Sequence, residues 1–267
     1  MARLHVACAG VLFLLGCASE HSALNSAEPS ATPVHIRVLA AASLADSLTE
    51  IRDAFQRGAH ADVELAFDAT SRLARQIENG VDADVFVSAD QEWMDELVEH
   101  QLVDRSRIEV LAGNHLVVVA PRNATPSLSA PEQLAGDAVQ HLALAESSVP
   151  AGRYAESSLS ALGLLNTLAP RIVRAPNVRA TLAHVAAGNA EAGIVYATDA
   201  RVDNRVRVEF QLADSLHAPI EYRIAPLRGS AHPEEAQAFV AAAMSPEAQR
   251  SLSAHGFVLP QGRAHAH

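Results

Sequence analysis

Lysine is missing from this 267-residue chain. All 20 of its basic residues are arginine, set against 31 Asp and Glu for a formal charge of −11. Without lysine, a phosphate-loop nucleotide hydrolase, a Schiff-base enzyme and any mechanism with a lysine base are excluded. The acidic balance also argues against nucleic acid as a partner, because phosphate contacts need a basic face. Cysteine is scarce: Cys8 and Cys17 both fall near the start of the chain, so the body can form no disulfide framework and no cysteine-ligated metal centre. The G-x-S-x-G elbow, the H-E-x-x-H pair and the dinucleotide fingerprint are absent too, and paired carboxylates such as Asp82 and Asp84 have no identifiable acid/base partner. A hydrolase is therefore a remote reading. The 13 histidines are scattered, as at His115, His141, His184 and His217, apart from the tail pair His265 and His267; lone histidines are more often structural or exposed than catalytic. What the chain does have is 49% hydrophobic residues with 13 Gly and 13 Pro, a globular composition. It is long enough for one large domain or two lobes of about 100 to 130 residues.

The N-terminus reads as an export segment over 1–17. Arg3 precedes an apolar stretch from Leu4 to Leu15, which at about a dozen residues is too short to span a bilayer. Leu14-Leu15-Gly16-Cys17 resembles a bacterial lipobox, in which cleavage before Cys17 leaves a lipidated cysteine. Residues 18–33, rich in Ser, Ala, Pro and Glu, read as a flexible tether. The working part starts near Val34 and lies outside the cytoplasmic membrane.

From Val34 onward short apolar runs alternate with amphipathic stretches, the pattern of a mostly parallel sheet covered by helices on both faces. Strands are expected at Val34–Leu39, Val63–Phe67, Asp84–Val87, Leu116–Ala120, His141–Ala145, Arg171–Val173, Ala192–Tyr196, Val206–Phe210 and Tyr222–Leu227. Leu44, Leu48, Ile51 and Phe55 recur at helical spacing. Further helices are expected at Ser71–Asn79, Gln91–His100, Pro131–Leu134, Ala151–Leu162, Val178–Ala187, Pro233–Ala243 and Pro246–His255.

In open parallel sheets a ligand lies beyond the carboxyl ends of the strands, so the strand-to-helix junctions carry the information. The first is Ala40-Ala41-Ala42-Ser43-Leu44, where Ser43 stands at a helix N-cap position and small residues permit close backbone approach. The second is Phe67-Asp68-Ala69-Thr70-Ser71, rich in hydroxyls. The third is Val149-Pro150-Ala151-Gly152, and the fourth is Asn177-Val178-Arg179. Each could be ordinary punctuation. Together, several helix N-termini with hydroxyls make an anion site built from neutral dipoles, which suits an acidic chain without lysine.

The segments Ala40–Leu44, Leu73–Glu78, Ala83–Asp95, Gly113–Pro121, Val149–Gly152 and Gly193–Tyr196 resemble, in order, those of the molybdate-binding proteins of bacterial ABC importers, which are type II periplasmic binding proteins. The resemblance covers about 34 to 260. It implies a two-lobed α/β fold with two crossover strands as a hinge. Lobe 1 would be built from 34–116 and 225–267, and lobe 2 from 117–224. It also implies an extracytoplasmic solute-binding protein rather than an enzyme, with no cofactor. The ligand would be molybdate or tungstate, held by hydroxyls and backbone N–H groups of Ser43 and Thr70 on one lobe and Ala151, Val178 and Tyr196 on the other.

In the second junction Thr70 stands where the family has serine, with Ser71 as the alternative ligand. Asp68 departs from the family; it either points to solvent or caps the following helix, or it faces the cleft and favours an oxyanion that carries a proton, such as phosphate. Arg72, Arg75, Arg153 and Arg179 are expected on solvated helix faces in ion pairs. The implied partners are an ABC permease and its ATPase, with the membrane contacted only through Cys17, and the protein a monomer. Sulfate or phosphate is the alternative ligand.

Overall fold

The computed structural model describes Met1, residues 34–58 and residues 61–260. The export segment with Cys8 and Cys17, the tether over 18–33, and His265 and His267 lie outside the described residues. The first strand, β1 (Val34–Ala41), is flanked by two parallel partners, β2 (Ala61–Asp68) and β3 (Val85–Ser88). Its last four residues, Val38 to Ala41, are all buried, as expected of a central parallel strand covered on both faces. Successive side chains alternate between those faces. Ile36, Val38 and Ala40 share a core with Leu44, Leu48 and Phe239, while Leu39 packs with Leu73, Ile77 and Met94.

The chain continues through β4 (Glu109–Gly113), crosses at Asn114 and His115, and enters β5 (Leu116–Pro121). A second group of strands follows: β6 (Leu142–Ala145), β7 (Ile172–Ala175), β8 (Ala192–Tyr196) and β9 (Val206–Gln211). Residues 212–220 lead back to β10 (Glu221–Pro226). The result is two five-stranded sheets, ordered β2-β1-β3-β10-β4 and β7-β6-β8-β5-β9. Each holds one reversed strand, and in each case it is the strand entered from a crossover: β10 runs antiparallel to β3 and β4, and β5 to β8 and β9. Because β10 sits between β3 and β4, residues 221–224 belong to the first sheet.

Helices cover both faces. In the first lobe these are α1 (Ala45–Gly58), α2 (Thr70–Glu78) and α3 (Gln91–Glu99). In the second they are α4 (Pro150–Ala161), the short α5 (Leu165–Leu168), α6 (Val178–Ala186) and the single turn α7 (Ala197–Ala200). The chain closes with α8 (Pro233–Ala243) and α9 (Pro246–Ala254) back on the first lobe, where both pack against α1. Of the spacing Leu44, Leu48, Ile51 and Phe55, α1 buries Leu48 and Ile51, Leu44 is buried in the turn just ahead of it and Phe55 is half-buried, each fully buried side chain contributing about 1.5–3 kcal/mol. Two expectations need correction. Pro131–Ala135 is a 3-10 turn rather than an α-helix, since Gly136 follows too soon for a second turn. Strand β4 was not anticipated, because its half-exposed Glu109 and Val110 interrupt the apolar run that marks a central strand.

Candidate functional site

The carboxyl ends of β1, β2 and β3 and those of β6, β7 and β8 face one another across a small cavity of about 10 Å³, roughly the space filled by one water-sized group. Its walls are Ala41 to Ser43, Asp68 to Thr70 and Ala89 from the first lobe, and Val149 to Ala151, Asn177, Val178 and Tyr196 from the second. The structure thus brings Ser43, Thr70, Ala151, Val178 and Tyr196 to one place. Thr70 lines the cavity, whereas Ser71 is buried beside it without doing so.

Three chain turns that open onto the cavity lack any side-chain cap: the 3-10 turn Ala42–Leu44 after Ala41, α2 after Ala69, and α4 after Val149. The first N–H groups of a helix have no acceptor within it, so these ends present free donors and partial positive charge. Ser43 is therefore not the N-cap its position suggested; it lies inside the 3-10 turn, with Oγ 2.9 Å from the Tyr222 hydroxyl. At α6 the cap is present. Asn177 Oδ1 accepts from the Ala180 N–H at 2.9 Å, which leaves the N–H groups of Val178 and Arg179 ahead of it. Gly152 sets the approach of α4, because a Cβ there would land on the carbonyl oxygens of Ala145 and Glu146. Only glycine lets the first turn of α4, with Ala151, sit this close to the end of β6.

The hydroxyls are disposed as donors. Thr70 Oγ1 accepts from the Ala89 N–H at 3.1 Å, so its own proton is free for the cavity. Tyr196 is fully buried and its hydroxyl has no partner; burial holds that phenol far above its ordinary range, with Tyr222 nearby adding to the effect, so it stays protonated. Leaving such a buried hydroxyl unpaired costs about 1–3 kcal/mol, which marks it as a donor to whatever acceptor the cavity takes.

Pairs that cross between the lobes ring the cavity. Asp68 Oδ1 accepts from Asn177 Nδ2 at 3.1 Å and from the Ala69 N–H at 2.7 Å. It neither caps α2, whose N-cap is Ala69, nor turns wholly to solvent, and its inner oxygen is already occupied. Arg179 is not on a solvated face: it donates to Asp46 of α1 at 2.6 Å and to the fully buried Asp199 of α7 at 2.5 Å. Burial pushes Asp199 up to about 6, against the pull of Arg179. Arg153 of α4 likewise reaches across to Asp90 and, at 2.6 Å, to Glu92, while Trp93 Nε1 donates to the Ser148 carbonyl at 3.0 Å. Of the expected arginines, Arg72 sits half-exposed between Asp68 and Glu146, and Arg75 lies over the Trp93 ring. Sequence reasoning missed Tyr222 and Asn114, which stand behind Ser43, and nothing local to either residue signals the contact. Among the described residues, one group with metal-ligand geometry, Glu78, Glu96 and His100, lies away from the cavity on α2 and α3.

Comparison with known proteins identifies the family and the fold. Residues 36–258 match the family model described as bacterial extracellular solute-binding protein. The chain is 36% identical over 237 residues to the molybdate-binding protein ModA of Escherichia coli, covering 84% of this chain and 89% of the relative. It is 32% identical over 234 residues to ModA of Haemophilus influenzae, covering 85% and 91%. The solved periplasmic molybdate-binding protein of Azotobacter vinelandii superposes with a TM-score of 0.77 at 23% identity, covering 85% of this chain and all of that one. Matched by the model across both sheets, the chain belongs to the bacterial extracellular solute-binding protein family.

Proposed function

We propose that this protein captures molybdate, and tungstate with it, between its two lobes and hands the anion to an ABC importer. The observation that carries the reading is the convergence of donors: uncapped helix ends, the outward hydroxyl of Thr70 and the unpartnered hydroxyl of Tyr196 all face one small space between the lobes. Ser43 and Thr70 donate from the first lobe, the N–H groups of Ala151 and Val178 and the Tyr196 phenol from the second. Neutral donors suffice, because the helix ends supply the positive potential. With both donor sets engaged only when the lobes are together, the anion favours the closed arrangement. The protein acts by binding, without a cofactor and without catalysis. It works outside the cytoplasmic membrane, held there by a lipid on Cys17.

Size does the selecting. Sulfate is smaller and leaves some donors out of reach, each lost charged hydrogen bond costing about 1.5–3 kcal/mol. The test is calorimetric titration of anion-stripped protein with molybdate, tungstate, sulfate and phosphate in separate runs. Tight binding of the first two with the others weak or silent is expected; sulfate or phosphate binding as tightly as molybdate would sink the assignment. The anchor has its own arm: Cys17→Ala should move the protein from the membrane to the soluble fraction, and continued membrane retention would remove Cys17 from the account.

A further inference from the structure

Ser43 reaches the cavity with its hydroxyl already engaged from behind, and the hydrogen bonds behind it have a fixed direction. The chain of contacts begins at Asn114, in the first crossover. Its Oδ1 accepts from the His115 N–H at 2.9 Å, and a backbone N–H can only donate. That settles which end of the amide is oxygen. The two protons of Nδ2 are then given to Thr198 Oγ1 at 2.9 Å and to the Tyr222 hydroxyl at 3.3 Å. A phenol that accepts from Asn114 directs its single proton to its other neighbour, Ser43 Oγ, at 2.9 Å. The opposite sense, Ser43 donating to Tyr222, would set the Tyr222 proton against the Asn114 amide, donor against donor. Ser43 Oγ therefore accepts, and its proton turns to the space it lines, which is the cavity. All of these groups are buried: Asn114 and Ser43 are 6% and 3% exposed, and Tyr222 is fully enclosed, so water does not compete for the protons.

We propose that Tyr222 and Asn114, neither of which lines the cavity, are positioning residues that hold the Ser43 hydroxyl as a donor to the bound oxyanion. The inference rests on the reading of the cavity as an oxyanion site. It places the control of a ligand-binding proton in the segments that join the lobes, since Asn114 lies in one crossover and Tyr222 is the second residue of the strand after the other.

The experiment is a double-mutant cycle on the mature protein, titrated with molybdate, using wild type, Tyr222→Phe, Ser43→Ala and the two together. Phenylalanine keeps the ring against Tyr196 and Phe257, at 5.9 and 5.3 Å, and thermal unfolding verifies the fold. Tyr222→Phe is expected to weaken molybdate about tenfold, and Ser43→Ala at least as much. On the Ser43→Ala background the Tyr222 change should add less than about twofold, because its effect passes through Ser43. Asn114→Asp, which exchanges a donor for an acceptor at constant shape, should reverse the chain and weaken molybdate like Tyr222→Phe. Unchanged affinity in Tyr222→Phe, or effects of Tyr222 and Ser43 that simply multiply, would overturn the proposal. A wild-type protein that ignores molybdate would overturn the ligand reading instead, and the same four proteins titrated with sulfate would then decide the hydrogen-bond direction.

Discussion

Tyr196 is the residue whose hydroxyl has no protein partner and lines the cavity. Tyr196→Phe should weaken molybdate about tenfold or more while changing the stability of the fold by less than about 1 kcal/mol. Calorimetry and urea unfolding read the two effects; unchanged affinity would take Tyr196 out of the site. Asp199 is the second residue with a measurable signature. Its carboxyl is raised by burial to about 6 from an ordinary value of 3.8, so between those values the folded state holds a proton that the unfolded chain has released. Its contribution to stability is therefore greatest below about pH 4 and declines by about 3 kcal/mol as the pH rises through 6. The difference in unfolding free energy between wild type and Asp199→Asn, followed from pH 4 to pH 7, should trace that decline, and a flat difference would refute it. At this scale the sequence was legible where a residue sits at a strand-to-helix junction. The junctions themselves could be read from their hydroxyls and small residues, whereas the choice of Thr70 and Ala151 within them rests on the family resemblance. Tyr222, Asn114 and the Arg179–Asp46 pair were not legible, because each joins positions far apart in the chain whose contact only the fold creates.

Among the elements, α4 is the one whose placement the cavity depends on most. The missing Cβ of Gly152 lets its first turn touch the backbone at the end of β6, so Gly152→Ala must push the helix outward and carry the Ala151 N–H with it. We expect a stability loss of about 1–3 kcal/mol together with weaker anion binding; a variant with normal affinity would show that α4 supplies nothing to the ligand. Central strands were easy to read from sequence because they are buried on both faces and appear as unbroken apolar runs, as in Leu116–Ala120 and Ala192–Tyr196. The edge strand β4 escaped because one of its sides meets solvent, and the Pro131 turn misled because a proline at a first helical position looks the same whether one turn or three follow.

For the molecule as a whole, the pairs that cross the cleft decide how firmly it stays shut without its anion. The carboxylate partners Asp46 and Glu92 are themselves well exposed, at 47% and 69%, so removing both costs little in stability, about 0–1 kcal/mol each. What it removes is part of the attraction between lobes, since Arg153–Asp90 and Arg72–Glu146 remain. Asp46→Ala combined with Glu92→Ala should enlarge the radius of gyration of the anion-free protein in small-angle scattering and leave the anion-saturated value unchanged; identical curves for variant and wild type would show that these pairs do not hold the lobes. The order of strands in the first sheet reaches further, into the time before the protein is complete. Since β10 lies between β3 and β4, a chain emerging from its N-terminus has the entire second sheet available while the first remains split, with β4 unable to join β1, β2 and β3. The second lobe, an insertion in the first, can mature during synthesis or passage across a membrane. The first must wait for Glu221 onward, so a partly emerged chain carries exposed strand edges that give chaperones and proteases their opportunity.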